Sequence, residues 1–168
     1  FTYKIGLYMS SKNGNEGNVA RRFTFFKSTI RKIMEPFFSH ASMEEWERDE
    51  FMDSLYHRHV VEDYAYQDDS TGILLMDWLR DKVVPHKIAV YDAGMAMLEI
   101  PALSDKIKRK DEFIWNLKAH DMSKLCFMEL YGYYLKFHPQ PFGFMPPSPE
   151  QKEMAWDEAW NHHQKHNQ

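Results

Sequence analysis

The reading of the fold turns on Asp111-Glu112-Phe113-Ile114-Trp115-Asn116-Leu117-Lys118-Ala119-His120-Asp121-Met122-Ser123-Lys124. Counting back from His120 meets Leu117 and Phe113, and counting back from Asp121 meets Leu117 and Ile114. These are helical intervals, so the spacing predicts a helix from about Asp111 to Asp121 with the His-Asp pair on or beside its apolar stripe, pointing inward. A buried carboxylate beside an imidazole is costly unless a positive charge compensates it. A metal ion would do so, because adjacent His and Asp supply one nitrogen and one oxygen ligand. The competing reading is a buried His-Asp hydrogen bond that only orders a core.

Two further histidines bear on that choice. His86 opens a helical pattern (Pro85-His86-Lys87-Ile88), and its stripe runs through Val90, Ala93 and Met97. His163 shares a stripe with Trp156, Trp160 and Asn167. A single histidine on an apolar face is more often a satisfied packing residue than a ligand. Three helices carrying His86, His120 with Asp121, and His163 can nevertheless converge on one buried point, as in metal sites built inside helical bundles.

The rest of the chain is helical in pattern. The first eighteen residues are rich in Gly, Asn and Ser and read as an irregular arm. Val19 to Phe38 places Phe23, Phe26, Ile30, Ile33 or Met34, and Phe37 on one side, and Pro36 is expected to bend or end it. Ser42 with Glu45 predicts a capping box for a second helix running to about Tyr66, in which His57 and His59 are surface or packing residues. Asp68 to Gly72 is a turn, followed by a helix through Leu74, Leu75, Trp78 and Leu79. Pro85 then sits in the first turn of the His86 helix. Ile100 to Lys110 is a polar connector, and Ser123 caps a helix bearing Phe127, Leu130, Tyr131, Tyr134 and Phe137. Five prolines stiffen His138 to Pro149 around Phe142, Phe144 and Met145. Ser148 caps the last helix, with Pro149 at its first position. No segment alternates at period two, so the fold class is all-α.

Composition bounds the function. At 168 residues, with 43% hydrophobic and 15% aromatic content, the chain can bury a real core. Only Cys126 is present, which excludes a disulfide framework and a cysteine zinc motif, and suits a soluble protein of a reducing compartment. No apolar run approaches a membrane span. Residues 1 to 34 hold seven Lys and Arg against Glu16, a net of +6, so the remainder carries −10 of the total of −4. A solvated basic face is the preferred account of that arm, ahead of an anionic surface, the acidic face of a partner, or nucleic acid, the last of which is not an expected partner. The chain opens at Phe1, and its Arg-bearing, acid-poor start suits the remnant of an organellar transit peptide.

His86, the His120-Asp121 dyad and the later histidines resemble the HD superfamily of metal-dependent phosphohydrolases, which are all-α domains. The resemblance implies an HD-like helical bundle over residues 71–168, with residues 1–70 as a basic arm and helical extension. It implies that Lys124 contacts a phosphate, as the lysine of His-Asp-x-x-Lys does in that family. The family's closing Asp ligand is absent, and His162, His163, His166 and Asn167 stand there instead. The chain also resembles a small uncharacterised domain family of bacteria and phages. Its blocks are matched by His86-Lys87-Ile88-Ala89-Val90, by His120 to Lys124, and by Ala159-Trp160-Asn161-His162-His163-Gln164-Lys165-His166-Asn167. Members continue past the Asn with a His-His-Trp segment, which leaves open whether ligands lie beyond Gln168.

Two functions follow from these readings. In the first, His86, His120, Asp121 and His163 hold a divalent ion (Mn, Fe, Zn, Co or Ni). Asp121 and Lys124 then serve hydrolysis of a phosphorylated small molecule. Glu129 and Glu158 are available beside them. In the second, the chain is a non-catalytic accessory subunit of an organellar complex, on the matrix side of the mitochondrion, or of a virion. It keeps an HD-like core and meets protein partners through residues 1–40 and 138–149.

Overall fold

The computed structural model describes residues 16–58, 75–137 and 147–166. Among these residues every regular element is helical, so the all-α expectation holds. The elements are α1 (Glu16–His40), α2 (Glu45–Arg58), a helical turn at 75–78 running into a π turn (Leu79–Val83), α3 (Val84–Glu99), the short α4 (Pro101–Ser104), α5 (Lys110–Ala119), a 3-10 turn (Met122–Leu125), α6 (Phe127–Phe137) and α7 (Pro149–His166). No described helix is long and apolar enough to cross a membrane.

The helix boundaries bear on three local expectations. Pro36 does not end α1, which continues to His40. Ser42 is not a cap for α2. It adopts φ 48° after α1, where Met43 N–H bonds back to the Phe38 carbonyl at 2.9 Å, closing α1 in a Schellman-type turn. The box at the start of α2 is supplied instead by Glu47, whose Oε2 accepts the Glu44 N–H at 2.9 Å. Pro85 stands in the first turn of α3, as expected, and the π turn, closed by Val84 N–H on the Leu79 carbonyl, runs directly into that helix. The expected cap at Ser148 is present: its Oγ accepts the Gln151 N–H at 3.3 Å, and Gln151 Oε1 accepts the Ser148 N–H at 2.8 Å.

One hydrophobic core joins the helices on both sides of residue 70. Ile30, Met34, Phe37 and Phe38 of α1 and Phe51, Met52 and Leu55 of α2 are buried together with Leu75, Leu79, Val83, Leu125, Leu130 and Tyr134. Ile30, Met34, Phe37 and Phe38 of α1 thus face the chain's own core, while Lys32, Glu35, Ser39 and His40 are exposed. Residues 1–15 and 138–146, on which the other partner expectations fall, lie outside the described residues. Among the described residues the most extensive helix pairing is α6 against α7, where Gly132 lacks the side chain that would separate them. A Cβ at Gly132 would lie 2.4 Å from Ala159 Cβ and 2.5 Å from the Ala155 carbonyl oxygen. That approach brings Glu129 and Tyr133 of α6 up to His162 and His163 of α7.

Candidate metal centre

α5 ends at Ala119, two residues earlier than its apolar stripe suggests. His120 has already left helical geometry at ψ 136°, and Asp121 adopts the left-handed conformation at φ 56°, ψ 25°. Aspartate is among the few residues that tolerate this region, because its short polar side chain can bond locally. The dyad is therefore on a sharp turn and not on the inward face of a helix, and the turn is what buries Asp121 to 1% exposure. His86 also departs from expectation. The buried face of α3 runs through Val84, Lys87 and Gly94, so the His86, Val90, Ala93, Met97 stripe lies toward solvent. His86 reaches the site because it stands in the first turn of α3, where side chains lean toward the helix N-terminus.

Around this turn the four sequence-derived residues meet. His86 Nε2 is 2.9 Å from Asp121 Oδ2, and His120 Nε2 is 3.3 Å from the same oxygen. Ligand atoms of His86, His120 and Asp121 all lie within 4.8 Å of one another, a group placed so that it could hold a metal ion. His163 Nε2 approaches the other carboxylate oxygen, Oδ1, at 3.7 Å. Lys124 Nζ is 2.6 Å from Oδ2 and stands 5.2 Å over the Tyr133 ring. Burial alone would raise the Asp121 pKa. Bonds from His120 and Lys124, with the Lys124 charge, outweigh it and hold the carboxyl well below the usual carboxylate range.

Glu129 is the residue whose place the sequence did not reveal. It is fully buried, and its pKa is raised by that burial, against hydrogen bonding from Ser123 and the attraction of His163. Oε1 lies 2.6 Å from His162 Nδ1, and Oε2 lies 3.0 Å from His163 Nδ1. A carboxylate on Nδ1 fixes the imidazole tautomer and leaves Nε2 with a lone pair, the arrangement that orients metal-binding histidines. His163 Nε2 then faces Asp121. The i,i+4 spacing of Cys126 and Leu130 around Glu129 marked an inward face, but nothing in one sequence says which helix lies opposite. Glu158 is exposed. Cys126, Glu129 and His162 form a second group able to hold a metal, though Glu129 already serves both imidazoles.

The donor set fits a divalent ion. For metal–ligand bonds of about 2.1 Å, two ligands on one ion stand roughly 3.0–3.4 Å apart, which is the scale of the spacings about Asp121. Among the described residues, Asp121 Oδ1 is buried and accepts no hydrogen bond. An anionic oxygen left in that state has lost its hydration without replacement, and a cation shared with the imidazoles would supply it. The centre opens onto a cleft of about 150 Å³ lined by Trp78, Lys82, Val83, His86, Lys124, Leu130 and Tyr133. This is smaller than a typical drug-sized pocket of at least about 300 Å³.

Beneath the turn, Lys87 is buried at 1% exposure. Its amine donates to the backbone carbonyls of Lys118, at 3.1 Å, and His120. Burial pushes its pKa down to about 7, with Asp121 pulling it up and Lys124 pushing it down. In either protonation state it has N–H groups for both carbonyls.

An all-α chain with a mixed imidazole and carboxylate cluster is the class that fold and site define. Residues 77–168 match the family of unknown function DUF5662, and the chain belongs to that family. The matched segment contains His86, the dyad and the α7 histidines. No curated protein and no solved structure matches the chain.

Proposed function

We propose that this protein binds one divalent transition metal through His86, His120, Asp121 and His163, and is a metal-dependent phosphohydrolase. The observation that carries the reading is the unbonded, buried Asp121 Oδ1 facing an imidazole whose tautomer Glu129 fixes. Imidazole with carboxylate favours Mn, Fe, Co, Ni or Zn over Ca. When bound, such an ion supplies Lewis acidity and lowers the pKa of water to about 7. Lys124 and Lys82 line the cleft and offer positive charge to phosphoryl oxygens. Glu129 holds its proton-sharing contacts with His162 and His163, and so keeps His163 Nε2 directed at the centre. His86 and His120 are 48% and 40% exposed at their side chains, so the centre is reachable from solvent.

One observation favours a second reading, an accessory subunit that keeps the cluster for structure. Lys124 already neutralises Asp121 at 2.6 Å, which closes the charge balance internally. Metal analysis of the purified native protein separates the two. Near-stoichiometric transition metal, with hydrolysis of a generic phosphate ester that Lys124→Ala reduces while retaining metal, supports the enzyme. A protein that neither carries nor takes up metal overturns it.

A further inference from the structure

We propose that Lys87, clamped between the rings of Phe37 and Phe51, is the positioning residue that sets the His120-Asp121 turn, so that the N-terminal helices α1 and α2 complete the metal centre. The proposal rests on the metal-binding reading above. A helix end leaves its last carbonyls without partners, and a cation is the natural group to meet them. At the end of α5 those carbonyls belong to Lys118 and His120, and both accept from Lys87 Nζ. The amine stands 4.7 Å from the centroid of Phe37, on α1, and 5.2 Å from that of Phe51, on α2. Ring faces favour the charged form of this desolvated amine, which forms no ion pair among the described residues. α2 takes a second hold on the same place: Glu47 pairs with the buried Lys118 side chain at 2.5 Å. Both anchors grip the residues that lead into the left-handed turn at Asp121. None of Phe37, Glu47 or Phe51 lies in the matched segment 77–168, so this chain's extension carries a shell that the family segment alone does not contain.

A lysine holding two carbonyls through backbone contacts alone acts on the ligands only by fixing where His120 and Asp121 stand. Partners of this outer kind typically change metal affinity by about 10- to 100-fold. The test is Co(II) titration of the full-length apoprotein, following the visible d–d spectrum. Lys87→Met, close in length and apolar, is expected to raise the Co(II) dissociation constant about 10- to 100-fold and to alter the spectrum. Glu47→Gln, which leaves Lys87 in place, is expected to shift both in the same direction by less, and serves if Lys87→Met does not fold. Leu75→Ala, a change in the buried core at a residue that makes none of the contacts named above, controls for lost stability and should leave the spectrum as in the wild type. Unchanged affinity and spectrum in Lys87→Met and in Glu47→Gln overturn the positioning role while the metal centre stands. An equal loss in Leu75→Ala also overturns it, because the effect is then general destabilisation. A wild type that takes up no Co(II) overturns the metal-binding reading, and this one with it.

Discussion

Asp121 concentrates three demands in one residue: a left-handed backbone, full burial, and a carboxylate shared among His86, His120 and Lys124. Replacing it separates them. Asp121→Asn keeps the tolerance for positive φ and removes the charge, whereas Asp121→Ala also strains the turn by about 1–2 kcal/mol. Both variants are expected to lose metal, with the alanine variant melting lower. Metal content equal to the wild type in Asp121→Asn would show that the carboxylate is not a ligand. Cys126 offers a second measurement at this scale. It is buried, and desolvation pushes its thiol up to about 12. The folded pKa is raised, so the associated stability is present below about pH 8.5, where an unfolded thiol ionises, and is lost progressively as pH rises toward 12. Thiol reagents at pH 8 should therefore label the native protein only at its opening rate, and label it at once in denaturant. Rapid native labelling would contradict the burial.

Helix contacts decide which of these residues meet. Gly132 and Gly94 both lie where two helices touch, but they face different neighbours. A methyl at Gly132 meets the Ala155 backbone and Ala159 Cβ, neither of which can swing aside. Gly132→Ala is expected to cost about 1–3 kcal/mol in urea unfolding, despite the better helix propensity of alanine. Because α7 must move away, it should also weaken metal binding through His163. At Gly94 the nearest atoms to the new methyl all belong to the Leu117 side chain, with Cδ1 and Cδ2 at 2.4 Å. Leu117 can change rotamer, so Gly94→Ala should cost less than Gly132→Ala. Equal costs would mean that α6 and α7 are not packed on backbone atoms. Local sequence made several of these elements legible, among them the Ser148 cap and the apolar face of α6. It misplaced the cap of α2 because Ser42 and Glu45 satisfy a capping pattern that the left-handed end of α1 pre-empts.

Across the molecule, α1 and α2 share their core with the helices that carry the centre. A chain beginning at residue 75 would expose Leu75, Leu79, Leu125 and Leu130, which are 0–1% exposed here. Such a chain is expected to bind hydrophobic dyes and to lose its cooperative melt, and a sharp transition near that of the full chain would show an independent domain. The sequence by itself determined the helical class and the candidate ligands His86, His120, Asp121 and His163, because helical spacing and residue chemistry are properties of short stretches. It could not determine that Asp121 is buried by a turn, that Glu129 orients His163, or that Lys87 sits beneath the dyad between two rings. Those relations join residues 31 to 50 positions apart across different helices. Only the packing of α6 on α7, and of α1 and α2 around Lys87 of α3 where it meets the end of α5, brings them together.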